Sequence, residues 1–206
     1  MIDSYLTIDN TSSFEMKITK SKFISTAFPF NSQTEISGIL KDGKKKYYDA
    51  SHHPYAYRVG IDQTNFKISD DGEPSGSAGK AILEAIDKHH VTDVIVIVTR
   101  FFGGTKLGVG GLRRAFFESA DLCLSNANII EKLITAKINL EFDYTFMNVI
   151  MNLIEAEKIR LIENNSDVKC RLTLEVRLSK IEKLKSEIID LTNGSIRILV
   201  NNITPS

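Results

Sequence analysis

The chain has only two cysteines among its 206 residues, Cys123 and Cys170. They lie far apart in apolar patterns and form neither a CxxC pair nor a zinc spacing. A disulfide framework and a cysteine metal site are excluded, and buried reduced thiols are expected. Net charge is absent too, since 26 Lys and Arg balance 26 Asp and Glu. That argues against a broadly basic nucleic-acid wrapper, while leaving room for a local basic patch. No apolar run reaches the length of a membrane span, and MIDSYLTIDNTSSFEMK lacks the basic start and apolar stretch of a signal peptide. A cytoplasmic protein with no membrane partner is expected. Internal repeats and low-complexity linkers are missing as well.

Several catalytic and cofactor signatures are also lacking. A Walker A loop ending at Gly79-Lys80 needs Gly where Pro74 stands and Ser or Thr where Ala81 stands. Gly108-Val109-Gly110-Gly111-Leu112-Arg113 does not fit GxGxxG, and no dinucleotide-binding unit surrounds it. Ser75 and Ser77 lie in neither a G-x-S-x-G elbow nor an S-x-x-K motif. Asp70, Asp71 and Glu73 offer carboxylates without assigned acid or base roles. The adjacent His52 and His53 point to opposite faces of an extended strand, so they do not share a metal. No catalytic residue, metal or cofactor is expected.

What is present is glycine in two loops. DDGEPSGSAGK (Asp70–Lys80) and TRFFGGTKLGVGGLRRA (Thr99–Ala115) each run into a helical pattern. Glycine permits sharp turns and close approach of backbone to a ligand. Helix N-termini present unpaired N–H groups and a partial positive charge, which suits phosphate. Gly76, Gly79, Gly103, Gly104, Gly108, Gly110 and Gly111, with Lys80, Arg100, Lys106, Arg113 and Arg114, are therefore the expected phosphate- or nucleic-acid-binding set. His53, Asp71, Glu73, Ser75 and Ser77 are expected to line the same depression. The plainer alternatives are an elaborate helix cap for the first loop and close backbone packing for the second. Lys80 in a first turn opposes the helix dipole, which calls for an anion or a carboxylate such as Glu84 to offset it.

Hydrophobic periodicity gives an α+β chain of two domains, 1–131 and 132–206. Phe14–Phe30 reads as a hairpin or two strands, Asn31–Tyr48 as a helix ending in Lys44-Lys45-Lys46, and Pro54–Ile61 and Asn65–Ser69 as strands around Asp62-Gln63-Thr64. Ser77–His90 reads as a helix, Asp93–Arg100 as a central buried strand, and Gly111–Asn126 as a helix with Leu112, Ala115, Phe116, Leu122 and Cys123 inward. In the second half, Ala136–Tyr144, Ile159–Ile162, Lys169–Leu178 and Ser195–Val200 read as strands. Between them lie helices over Thr145–Lys158, with Phe146, Val149, Ile150 and Leu153 on one face, and over Ser179–Leu191, with Ile181, Leu184, Ile188 and Leu191 inward. The order is the ferredoxin-like βαββαβ, with one sheet face left wet. That face carries no stacking aromatics of the RNA-recognition kind.

The motifs Ser51-His52-His53, Asp71–Lys80 (DGEPSGSAGK) and Val98–Ala115 (VTRFFGGTKLGVGGLRRA) together closely resemble the YigZ/IMPACT family. The resemblance spans nearly the whole chain. It implies a first domain like the second domain of the S-five ribosomal protein, a two-layer α/β sandwich. It implies a second domain like the ferredoxin-like last domain of elongation factor G. Departures are Ser77 for Thr, Ala81 for Pro, and Phe101 and Phe116 for Tyr. Eukaryotic members act as translation regulators through protein contacts, and bacterial members resemble nucleic-acid or ribosome binders. The expected function is thus a non-enzymatic, ribosome-associated translation regulator that binds RNA phosphates through the glycine-rich basic depression. The alternatives are a protein-interaction module regulating translation and a hydrolase of a phosphorylated small molecule.

Overall fold

The computed structural model describes residues 3–60, 64–165 and 167–205. The chain separates into two compact units. One holds residues 6–131. The other holds residues 132–205 together with the described residues of the first five. The initial residues thus leave the N-terminal domain in which the 1–131 boundary places them. The cause is local: Asp3 O accepts from the Ile134 amide at 2.9 Å, and the Asp3 carboxylate accepts from the Ser179 amide and hydroxyl at 2.8 and 2.7 Å. Of the expected Asp62-Gln63-Thr64 turn, the first two residues lie outside the described residues.

The N-terminal unit is built around β6 (Val94–Phe101), whose VIVIVTRF sequence is apolar on both faces. It sits in the middle of an antiparallel sheet ordered β2 (Ser12–Ile18), β3 (Ser21–Pro29), β6, β4 (Tyr55–Val59) and β5 (Asn65–Ser69). Alternation along a strand sends successive side chains to opposite faces. Val94, Val96 and Val98 therefore share a core with α2 (Gly79–Lys88) and α3 (Gly108–Ser125). Ile95 and Ile97 pack on the other face with Ile36, Ile39 and Leu40 of α1 (Gln33–Lys46). Helices thus cover both faces, and Gly43 lets α1 come close, since a Cβ there would lie 3.3 Å from Ile97 Cδ1.

On the α2/α3 side, Phe23 and Phe116 meet edge to face at 5.3 Å, both fully buried, which stabilises the unit by about 3 kcal/mol per ring. The helices α2 and α3 run in the same direction. Arg113–Glu84 joins the middle of α2 to the second turn of α3, and Lys88–Asp121 joins them further along, so both N-termini lie at one end of the sheet. At that end β6 stops, the Asp70–Ala78 loop arrives and α1 finishes. The observed α3 begins three residues before the expected start. Leu122 points outward at 39 % exposure, because the buried stripe runs through Ser119, Ala120, Cys123 and Leu124 instead.

The C-terminal unit follows β7 (Ile129–Phe142), α4 (Met147–Ala156), β8 (Arg160–Asn164), β9 (Cys170–Arg177), α5 (Ile181–Leu191) and β10 (Ile196–Pro205). β7 begins in the preceding unit. The spatial order β10-β7-β9-β8 is fully antiparallel, as a ferredoxin-like βαββαβ requires, and β1 (Ser4–Ile8) also pairs with β7. Ile138, Leu140 and Phe142 pair across to Leu174, Leu172 and Cys170 and form one core with Ile150, Ile154, Leu184 and Ile188. Val149 and Leu191 are exposed, against expectation. In α4 the inner stripe runs through Ile150 and Ile154, and in α5 it ends one turn early at Ile188. Gly194 (φ +75°) ends the helical stretch, its amide bonding to Ile189 O at 2.9 Å. On the wet face, Arg171–Glu141 and Arg160–Glu175 pair charges across strands.

Candidate functional site: the loop end of the N-terminal unit

The two glycine loops meet at the end of β6, but the cations there are used unequally. Arg100 is expected to be a surface phosphate ligand. Its side chain is instead 7 % exposed, with Nη1 bound to both Glu73 oxygens at 2.7 and 2.9 Å. The guanidinium lies over the Phe23 ring (5.6 Å) and over the Phe102 ring (5.3 Å), and Nε has no partner among the described residues. Glu73 is 2 % exposed on its side chain. The two residues neutralise each other and tie the Asp70–Ala78 loop to the end of β6. Position explains the reversal: Val94, Val96, Val98 and Arg100 point to the same face, so Arg100 follows three core valines inward.

The start of α2 is also occupied. The Asp70 carboxylate accepts from the amides of Gly76 (2.8 Å), Ala78 (3.0 Å) and Gly79 (2.8 Å). The anion that offsets the dipole is Asp70 from the preceding loop, and Glu84 pairs with Arg113 instead. Gly79 is required by packing, since a Cβ there would lie 2.8 Å from the Ser69 amide nitrogen. Ser77 is buried and donates to Pro74 O at 2.6 Å, while Ser75 is exposed. The first loop is therefore an internal cap, in which the Gly76 and Gly79 amides and the Ser77 hydroxyl already have partners.

The start of α3 differs. Leu107 precedes it with no side-chain cap, and its first turn holds no acidic residue. Gly103 is a packing glycine: a Cβ would collide with the Lys20 carbonyl, and its amide donates to Ser21 Oγ at 3.2 Å. Gly104 and Gly108 take left-handed φ of +84° and +72°. Gly111 packs near Leu107. Gly110 has no such reason. Its φ is not positive and a Cβ would meet nothing within 4 Å, although glycine inside a helix costs about 1 kcal/mol relative to Ala. Its effect is to leave the first turn of α3 bare.

Beside this turn lies a cavity of about 450 Å³, whose wall includes Ser51, His52, Glu73, Phe102, Lys106 and Val109. Of the expected cations only Arg100 and Lys106 border it, and Arg100 is already neutralised. Lys80, Lys106 and Arg114 are exposed and form no ion pair among the described residues. Arg113 is held by Glu84 at 2.7 and 2.9 Å.

Asp71 and the histidines form the scaffold behind the cavity. Asp71 (φ +43°) accepts from Lys44 Nζ at 2.7 Å and the His53 amide at 2.9 Å, and His52 Nδ1 lies 2.8 Å from Asp71 O. Burial raises the Asp71 pKa, but these donors outweigh it and the carboxyl sits below the usual Asp value. His53 is buried against Thr99 Oγ1 at 3.1 Å, and burial is the main cause that lowers its pKa. Among the described residues no three His, Cys, Asp or Glu are grouped to hold a metal ion. No helix there is long and apolar enough to cross a membrane.

Glu73→Gln strands a buried guanidinium and is expected to destabilise the N-terminal unit by about 3–5 kcal/mol, read from chemical denaturation. Glu73→Leu with Arg100→Met removes both charges and recovers most of that loss. Because the folded pKa of His53 lies below the unfolded value, its contribution to stability is complete above that value. It is lost as pH falls below about 6.5 and through the folded pKa. His53→Gln is expected to flatten this part of the melting-temperature profile.

Sequence and structure comparisons agree with this architecture. The Impact N-terminal domain family matches residues 19–124. The IMPACT family member YvyE of Bacillus subtilis is 31% identical over 204 residues, covering 99% of this chain and 94% of that protein. The IMPACT family member YigZ of Escherichia coli is 28% identical over 187 residues, covering 89% and 91%. The Protein IMPACT homolog of Dictyostelium discoideum is 34% identical over 93 residues, 43% of this chain and 26% of that protein. A crystal structure described as that of a hypothetical protein superposes with a TM-score of 0.70 at 24% identity, covering 98% of this chain and 99% of the other. A domain match over half the chain and a nearly full-length relative establish that this protein belongs to the IMPACT family, the family of YigZ and YvyE.

Proposed function

We propose that the chain is a non-enzymatic, cytoplasmic, translation-associated regulator that binds RNA phosphates, on the ribosome or free, through the N-terminal end of α3. The observation that carries this reading is an uncapped helix start without acidic residues, left bare at Gly110, with the unpaired Lys106 beside it. Amides and a partial positive charge at such an end favour a phosphate. Lys80 and Arg114 add unpaired cations on the two helices that begin at this end. Arg100 takes a structural role within the reading, holding the loop in place.

A second reading is favoured by a different observation. Phe102 and Val109, at 48 % and 58 % exposure, stand on the rim of the same cavity. Exposed apolar groups beside a lysine suit a protein partner that presents an apolar side chain next to a carboxylate. The hydrolase alternative gains nothing from the geometry, because Asp71 and Glu73 are both committed to cations.

If about three phosphates are bound, the slope of log affinity against log salt is about −2 for single-stranded RNA. Lys106→Ala is expected to lower affinity and reduce the slope by about 0.7 without moving the melting temperature. A flat salt response, or capture of a protein that survives nuclease treatment, favours the second reading. Gly110→Ala is expected to stabilise the fold by about 0.5–1 kcal/mol while weakening RNA binding, a separation that thermal melts and binding titrations check together.

A further inference from the structure

The face of the sheet that carries α1 holds a second set of groups at the same end. Strand register puts Lys17, Lys22 and Phe101 directly opposite one another across β2, β3 and β6, hence on one face. Two ammonium groups at directly opposed positions repel. Neither forms an ion pair among the described residues. Lys22 Nζ instead lies over the Phe101 ring, 4.5 Å from its centroid. The Tyr47 ring meets Phe101 edge-on at 6.3 Å, and Lys46 Nζ lies 5.1 Å from the Tyr47 centroid.

The result is a Lys–Phe–Tyr–Lys series from β3, β6 and the end of α1, in which both rings remain partly exposed. Carboxylates close by in the sequence form no ion pair with it among the described residues. Glu15 is two residues from Lys17 and Asp42 one turn before Lys46, yet neither pairs with them, and Asp71 is taken by Lys44. Beside Tyr47 and Lys46 a cavity of about 280 Å³ opens under α1, walled by the apolar Phe28, Ile39 and Ile97, the Asp42 carboxylate and the hydroxyls of Thr11 and Thr26. The series also adjoins the α3 loop, because Gly103 sits on the backbone of Lys20 in the β2–β3 turn.

We propose that this face is a stacking platform for single-stranded RNA: bases lie on Phe101 and Tyr47, their edges reach the cavity beside Tyr47, where hydroxyls and the Asp42 carboxylate offer polar contacts, and Lys17, Lys22 and Lys46 hold the flanking phosphates. The proposal rests on the phosphate-binding reading and adds to it the strandedness of the RNA. Unpaired bases expose π-faces to aromatic side chains, whereas in a duplex those faces are used by neighbouring bases. Interleaved ammonium groups supply the backbone neutralisation that such platforms combine with stacking.

The test is fluorescence anisotropy with a labelled oligouridylate of about 12 nucleotides, a blunt RNA duplex of equal length, and inorganic polyphosphate as an unlabelled competitor. The wild type is expected to bind the single strand more tightly than the duplex. Tyr47→Leu with Phe101→Leu is expected to weaken single-strand binding about tenfold while leaving duplex binding and polyphosphate competition unchanged. Should the double Leu variant not fold, Tyr47→Leu alone, at the end of α1, is expected to lower the single-strand preference about threefold. Folded variants that bind the single strand like the wild type, or a wild type that binds duplex equally well, overturn the platform and leave the α3 reading intact. A wild type that binds none of the three overturns both.

Discussion

The architecture of the loop end turns on one buried ion pair. β6 is apolar on both faces until it reaches Arg100, and a guanidinium delivered there has to find a counter-charge inside the protein. Glu73 supplies it from a loop 27 residues earlier, and the guanidinium also lies over the Phe23 and Phe102 rings. Burying two charges costs several kcal/mol of hydration, so the pair is poor evidence of added stability. What it gives is a tie between the Asp70–Ala78 loop and the end of β6, while the bonds Ser51 Oγ···Phe102 N and Ser21 Oγ···Gly103 N anchor the next loop separately.

Two helices begin side by side at this end and treat their dipoles in opposite ways. α2 is capped from within by Asp70, three amides to one carboxylate. α3 has neither a capping side chain nor an acid in its first turn. The contrast separates a structural use of glycine from one that leaves backbone exposed. Gly79 and Gly103 are packed tightly against other chain segments, whereas Gly110 faces open space. A glycine-rich sequence thus contains two functions that composition alone merges.

Legibility followed the range of the interactions. The alternation over Lys169–Leu178 reads directly as β9, because a half-buried strand repeats every two residues and its inward set is apolar throughout. The apolar run before Arg100 reads as a central strand for the same local reason. Helix faces were less legible: Leu122, Val149 and Leu191 fit an apolar stripe yet lie outside it, since the buried stripes run through neighbours such as Cys123, Ile150 and Ile188. In the candidate site, the basic and glycine content was legible, whereas the uncapped start at Gly108 beside Lys106 was not, since the expected helix began at Gly111. The pairing of Arg100 with Glu73 and of Arg113 with Glu84 was not, because no local pattern encodes which distant carboxylate a cation meets. Only the parity of β6 hinted at it, placing Arg100 in phase with three core valines. The Lys17–Lys22–Phe101 row depends on strand register and was likewise invisible.

The two thiols have a practical bearing on how this molecule can be handled. Cys123 is fully buried, and its thiol is pushed up to about 11 by that burial, while Cys170 is equally enclosed in the other unit. Alkylating reagents act on accessible thiolates, and the native chain offers none among its described residues. A single cysteine introduced on an exposed turn would therefore carry a fluorophore or spin label alone, with both native sulfurs left in place.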